Sequence, residues 1–477
     1  MEDGLWRLPP RQPREEIERR QRRRRRLRLL ALGAVAAALA GGLAWVVVEH
    51  GDGSHPEAVT GFRRCLLADG VTGLCGRVAV PLDPRRPGGT RLRLRVALLT
   101  ATGRREGALF YLEGGPGGAA TQSAGAVSVL LGRVQRHRDI VLVDQRGTGG
   151  SAALTCPAPR AGAPLAPWLR GCLAHREDAR FLTSAAAAAD VEAVRRALGY
   201  GRIDLFGASY GATLAQIYLR RYPDSVRSLV LDAATPLGGA VYADEAATAA
   251  RSLAEVLAAC RAAPRCRRAH PGLARDLRTA LRGAGRLDEA QVASTLEALT
   301  RTLDGQAVIP FDLDHAAHGD PKPLEQDFGT YVGEGVDPRL RLAMAWEIQC
   351  SEPWARLGAA AGGYFAAAVR ARNALFRSGC AAVPPGWVPA GSETPVPSLV
   401  PALVLAGTTD PQARPDRSAW MRLFPEGREV VVPGGAHGVS TTGCVPSLIA
   451  AFVARGSAHG LATACAARPV SPRFELR

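Results

Sequence analysis

A chain of 477 residues, 47% of them hydrophobic, can bury a substantial core as one large domain with an insertion or as two domains. Its net charge of +16 would suit nucleic acid, yet Lys322 is the sole lysine and aromatic residues make up only 5% of the chain. An arginine excess of this kind indicates compositional bias rather than a phosphate-tracking surface with stacking platforms, so no nucleic-acid partner is expected.

Residues 1–28 hold eleven arginines against five acids, and 29–48 are twenty residues without a charge. That length suffices to cross a bilayer core. Arginine before the segment and Glu49, Asp52 and Glu57 after it predict a basic cytoplasmic tail, a transmembrane anchor over 29–48 and an extracytoplasmic remainder. A cleaved signal peptide ending near Ala38-Leu39-Ala40 is the rival. The apolar run continues through Trp45-Val46-Val47-Val48, which favours the anchor. The polar stretch 49–61 reads as a linker. All ten cysteines follow the apolar segment, as in proteins of oxidising compartments. Pairing by nearness in sequence joins Cys65 to Cys75, Cys156 to Cys172, Cys260 to Cys266, Cys350 to Cys380 and Cys444 to Cys465; free buried thiols are the alternative. No C-x-x-C pair occurs, so no metal site is expected.

A first core segment is expected over 62–234. Strands are predicted at Gly76 to Leu82 and Leu92 to Leu99, followed by the wholly apolar run Ala108 to Leu112. This run breaks into Glu113-Gly114-Gly115-Pro116-Gly117, where glycines free backbone N–H groups to face a ligand. The strand Asp139 to Asp144 leads into Gln145-Arg146-Gly147, with Asp144 and Arg146 expected as an ion pair shaping the loop. Ser184 is predicted to cap an alanine-rich helix. A short apolar strand then ends at Gly207-Ala208-Ser209-Tyr210-Gly211 and turns at once into helix. Such a turn strains its apex residue and pushes the serine oxygen out above the sheet, at a helix start where negative charge is favoured. Strands and helices alternate throughout, which predicts a mostly parallel, doubly wound α/β sheet.

Over 235–395 strand runs nearly vanish and helical spacing takes over, which predicts an inserted helical lid. The parallel pattern returns over 396–477. Ala402 to Gly407 ends at Thr408-Thr409-Asp410, and Glu429 to Val432 runs into Pro433-Gly434-Gly435-Ala436-His437. Ser209, Asp410 and His437 therefore follow one another as nucleophile, acid and base, each in a loop just after a strand. A serine hydroxyl needs an imidazole to take its proton, and the imidazole needs a carboxylate to hold its tautomer. Asp416 is the fallback acid; His315, His318 and His459 rank below His437.

Gly114-Gly115-Pro116-Gly117, Asp144-Gln145-Arg146-Gly147-Thr148-Gly149 and Gly207-Ala208-Ser209-Tyr210-Gly211 together resemble the proline iminopeptidase and tripeptidyl aminopeptidase branch of the α/β-hydrolases. The resemblance spans roughly 65–465 and is weakest in the lid. It implies an α/β-hydrolase fold and oxyanion donors at the N–H of Gly114, or Gly115, and of Tyr210. Iminopeptidases usually carry His before G-G-P-G, whereas this chain has Glu113, which favours the tripeptidyl type. Lid glutamates hold the substrate amine in that family, and Glu347 and Glu352 are the candidates here. The resemblance thus implies an extracytoplasmic serine aminopeptidase acting on short peptides without metal or organic cofactor. An esterase or amidase with the same three residues, and a non-catalytic binding protein on a hydrolase scaffold, are the rivals.

Overall fold

The apolar runs Ala108–Leu112 and Asp139–Val143 are buried from end to end, as strands covered on both faces must be. They lie at the middle of a nine-stranded sheet in the computed structural model, which describes residues 61–157, 164–239, 241–242, 245–333, 340–355, 357–358, 363–413 and 416–476. The expectations for the basic tail, the segment 29–48 and the linker up to residue 60 lie outside the described residues. Among those described, no helix is long and apolar enough to cross a membrane.

In chain order, β1 (Arg63–Leu66), β2 (Thr72–Pro81) and β3 (Arg91–Leu99) form an antiparallel meander. Next come β4 (Ala108–Leu112), helix α1 (Ala124–Leu131), β5 (Asp139–Val143), α2 (Leu165–Leu173) and α3 (Ser184–Ala197). They are followed by β6 (Ile203–Ala208), α4 (Tyr210–Arg221) and β7 (Val226–Asp232). A helical region then comprises α5 (Glu245–Ala262), α6 (Pro264–Ala269), α7 (Leu273–Ala280), α8 (Glu289–Thr300), α9 (Leu303–Ala317), α10 (Lys322–Phe328), α11 (Leu342–Ser351) and α12 (Ala366–Cys380). The chain returns to the sheet with β8 (Ala402–Gly407), α13 (Arg417–Leu423), β9 (Arg428–Val432) and α14 (Val445–Arg455). The strand order is β1-β2-β3-β5-β4-β6-β7-β8-β9, with β4 to β9 all parallel and β3 antiparallel to β5. The parallel strands therefore deliver their C-terminal loops to one edge.

Because side chains alternate along a strand, β4 feeds two cores. Phe110 packs with Val191 and Val194 of α3 and Leu214 and Ile217 of α4, whereas Leu109 and Tyr111 pack with Val127 of α1 and Ile449 and Phe452 of α14. The helical region has its own core, including Leu253 of α5, Leu296 of α8 and Ile309 of α9. Phe474 and Leu476, at the far end of the chain, pack onto that core, and the Glu475 N–H donates to the Ala307 carbonyl at 2.9 Å.

Three local expectations are revised. Strand β1 was not foreseen, because its Arg-Arg-Cys-Leu sequence is mostly exposed and lacks apolar alternation. Pairing with β2 and the Cys65–Cys75 disulfide secure it. Thr183, not Ser184, caps α3, its hydroxyl accepting the Ala186 N–H, while Ser184 is the first helical residue. Arg146 does not pair with Asp144. It makes a two-pronged bridge to Asp190 of α3, 2.7 Å on each prong, and donates to the carbonyls of Pro81, Leu82 and Phe181. Asp144 instead accepts the Gly150 N–H and both donors of Thr121, which shapes the same loop by other bonds.

All five disulfides join neighbours in sequence: Cys65–Cys75, Cys156–Cys172, Cys260–Cys266, Cys350–Cys380 and Cys444–Cys465. Five such bonds suggest an extracytoplasmic protein. Arg146 is wholly buried, so removing its partner would strand a charge away from water. Asp190→Ala is expected to lower the unfolding free energy by about 3–5 kcal/mol, measured from denaturant midpoints.

Candidate active site

The Gly-x-Ser-x-Gly stretch makes the sharp turn that its sequence demands. Ser209 sits between β6 and α4 with φ 52° and ψ −122°, a conformation that costs roughly 1–3 kcal/mol in a non-glycine residue. The turn closes because side chains are missing where the backbone crosses itself. A methyl group on Gly211 would lie 2.1 Å from the Leu112 carbonyl oxygen, and one on Gly207 would lie 2.3 Å from that of Gly211. The Ser209 N–H donates to the Asp232 carbonyl at 2.9 Å, tying the apex to the end of β7.

Asp410 follows β8 and His437 follows β9, and the parallel sheet brings both to Ser209. His437 Nδ1 is 2.9 Å from Asp410 Oδ2, and its Nε2 is 2.9 Å from Ser209 Oγ. A carboxylate only accepts, so Nδ1 carries the proton and Nε2 is left to accept the serine hydroxyl. Asp410 is fully buried; its second oxygen accepts the N–H groups of Gln412 and Ala413. Burial disfavours the imidazolium of His437, but the charge and hydrogen bond of Asp410 outweigh it and hold the ring above its ordinary value.

The helical region touches this relay. The Arg301 carbonyl, at the corner between α8 and α9, accepts the His437 N–H at 3.1 Å, and Gln306 of α9 donates to the Thr409 hydroxyl at 2.8 Å. Glu245 of α5 accepts from Gln412 at 3.3 Å and also pairs with Arg301 and Arg372.

Around the Gly114-Gly115-Pro116-Gly117 loop the donors divide. The Gly114 N–H donates to the Glu113 carboxylate at 2.9 Å, whereas among the described residues the Gly115 N–H has no protein acceptor. The loop lies against Ser209, since a methyl on Gly114 would fall 3.4 Å from Ser209 Cβ. Tyr210 begins α4, and its hydroxyl meets Ser184 Oγ at 2.7 Å and Gln145 Nε2 at 3.0 Å.

The two lid glutamates differ. Glu352 accepts the Ser184 N–H at 2.6 Å and its hydroxyl at 2.7 Å, so it is bound to the start of α3 and, through Ser184, to Tyr210. Glu347, one turn earlier on α11, is completely buried; Oε1 faces the Ser351 hydroxyl at 3.4 Å and Oε2 has no partner among the described residues. Burial, with the neighbouring charge of Glu352, pushes its carboxyl up to about 8. Asp416 lies apart and caps α13 through the Ala419 N–H. His315 and His318 face Asp320 and Asp314 in the helical region, and His459 is exposed.

Sequence reasoning passed over Asp232, Gln306, Gln412 and Arg301. For Asp232 a signal existed, since it ends a strand just as Asp410 follows one. The lid contacts had none, because their partners lie more than a hundred residues away.

A family model described as alpha/beta hydrolase fold matches residues 107–443. Tripeptidyl aminopeptidase of Streptomyces lividans is 33% identical over 185 residues, 33% of this chain and 34% of that protein. Serine protease Hip1 of Mycobacterium tuberculosis is 31% identical over 185 residues, 34% of this chain and 36% of that protein. Carboxylesterase B of the same species is 36% identical over 159 residues, 33% of this chain and 29% of that protein. The chain thus spans about a third of the length of the curated relatives it matches.

The raised value of His437 has a direct readout. In NMR of histidine-labelled protein its ring is expected to titrate above the ordinary 6.5, and Asp410→Asn is expected to bring that midpoint down.

Proposed function

The chain belongs to the α/β-hydrolase fold family, and from that footing we propose that it is an extracytoplasmic serine aminopeptidase releasing single residues or short pieces from peptide N-termini. The 2.9 Å contacts from Ser209 through His437 to Asp410 carry the serine-hydrolase part of this reading. Ser209 Oγ attacks the scissile carbonyl while His437 Nε2 takes its proton and Asp410 stabilises the imidazolium. The N–H groups of Gly115 and Tyr210 hold the developing oxyanion, the Gly114 donor being engaged by Glu113. His437 then protonates the departing amine, and water, activated by the same ring, hydrolyses the acyl-enzyme.

Glu347 supports the preference for peptide N-termini. Its second oxygen is buried without a hydrogen-bond partner among the described residues and burial raises its carboxyl, so a cation brought beside it would be favoured. A substrate ammonium would pair with it, while Glu352 holds Tyr210 and α3 in register from the lid. The relatives named tripeptidyl aminopeptidase and serine protease support the same class. The segment 29–48 is proposed as a membrane tether, with export by a removed signal as the alternative. An esterase is the second reading, favoured by the likeness to Carboxylesterase B.

A fluorophosphonate probe is expected to label the wild-type protein and to leave Ser209→Ala unlabelled; a folded wild type that stays unlabelled would falsify the mechanism. Peptides with a free amine should be cleaved and their N-acetylated forms spared, whereas equal turnover of both favours the esterase.

Glu347→Gln is expected to raise KM for free-amine peptides and to leave simple acyl esters unaffected. Its stability has the opposite sign. A carboxyl raised from 4.5 to about 8 in the folded state opposes folding increasingly as pH climbs through that interval. The variant should therefore melt higher than wild type at alkaline pH and equally in acid, as calorimetry would report.

A further inference from the structure

Asp232, the last residue of β7, is 2% exposed and takes no part in the steps above. Its carboxylate nevertheless reaches the turn that carries the base. Oδ1 accepts the Val439 N–H and Oδ2 the Ser440 N–H, each at 2.9 Å. Its main-chain carbonyl accepts the Ser209 N–H at 2.9 Å. One residue thus grips the nucleophile with its backbone and the base-bearing turn with its side chain.

The local backbone indicates how tightly this junction is held. Ser209, the donor of that main-chain bond, and Ala233, the residue after its acceptor, have φ of 52° and 53°, which non-glycine residues adopt only where their surroundings impose it. The turn after His437 is closed by the Thr442 N–H donating to the Val439 carbonyl at 2.9 Å, with Val439 buried in the core. Gly438 follows His437 with φ +82°, and the His437 N–H is held from the other side by the Arg301 carbonyl. Asp232 thus supplies side-chain hydrogen bonds from the core to this turn, while Arg301 holds it from the helical region and Asp410 holds the ring.

We propose that Asp232 is a positioning residue for the base, fixing the turn 437–440 so that His437 Nε2 stays within proton-transfer distance of Ser209 Oγ. The proposal rests on Ser209 and His437 being nucleophile and base. Asp232 need not touch substrate. It acts through geometry and through charge. The charged groups bearing on His437 are Asp410, Asp232 and Arg301; the two carboxylates favour the imidazolium and the guanidinium opposes it. Burial pushes the Asp232 carboxyl up, against hydrogen bonds from Ser440 and Val439.

Two substitutions separate position from charge. Asp232→Asn keeps the shape, but its amide group turns a donor toward one of the two N–H groups and the negative charge is gone. Asp232→Glu keeps the charge and shifts it by one methylene. A displacement of the base near 1 Å costs roughly 10²-fold in rate, so both variants should lose about that much kcat on a free-amine peptide with KM nearly unchanged. The acid limb of kcat/KM against pH should move to lower pH in Asp232→Asn and stay in place in Asp232→Glu. Fluorophosphonate labelling of Ser209 should slow in parallel, with circular dichroism confirming that each protein is folded. Wild-type rates and an unmoved limb in folded Asp232→Asn would overturn the proposal, as would an unchanged kcat in Asp232→Glu should the asparagine variant fail to fold. A wild type that is not labelled removes the assignment beneath the proposal, so the two failures are told apart.

Discussion

Everything at the catalytic edge depends on how closely α4 can cross the end of β4. The Leu112 carbonyl stands 2.1 Å from where a side chain on Gly211 would begin, so the crossing exists only because none is there. That approach puts the Gly114-Gly115-Pro116-Gly117 loop against Ser209 and forces the serine into its strained conformation. It also aims the first turn of α4, with its N–H groups and the positive end of its dipole, at the place proposed for the oxyanion. The chemistry and the packing are therefore one constraint: a β-carbon at this crossing would dismantle the site before it altered any reacting group.

Once the strand ends converge, the molecule must manage several buried carboxylates, and it does so in different ways. Asp190 is neutralised by Arg146, which also stitches the turn after β2 to α3. Asp410 spends one oxygen on His437 and the other on two amides. Glu245 and Glu297 share Arg301 and Arg372 between the helical region and the acid loop, with burial and the neighbouring Glu297 pushing Glu245 well up. Glu347 alone among these has neither a cation nor an amide for its second oxygen. A group left so exposed to desolvation is costly unless something charged arrives to meet it, which is why it stands apart from its neighbours.

Much of this was legible in the sequence where the relevant physics is local. The runs at 108–112, 139–143, 203–208 and 402–407 announce buried parallel strands by hydrophobicity alone, and the glycines two residues either side of Ser209 announce the turn. Ser209 and Asp410 could be named because each lies just past such a strand, and His437 because it follows the shorter apolar run 430–432. The disulfides could be paired because every partner is within 30 residues. What escaped depends on long-range placement. Arg146 sits two residues from Asp144, yet its partner is Asp190, 44 residues on, because α3 folds back across the loop. Glu352 could be chosen as an amine ligand from its place in the lid, but nothing local reveals that Ser184, 168 residues earlier, occupies both its oxygens. Glu113 is visible as a departure from the iminopeptidase pattern, whereas its bond to the adjacent Gly114 amide is a matter of rotamer.

The hydrogen bond from the His437 N–H to the Arg301 carbonyl gives the helical region a role beyond covering the site. Any movement that lifts this corner of the lid also frees one end of the base-bearing turn and withdraws Gln306 from the loop that carries Asp410. The placement of His437 and Asp410 is therefore set by the packing of the helical region as much as by the sheet: a substitution at this corner that never touches a reacting atom would reach both residues at once.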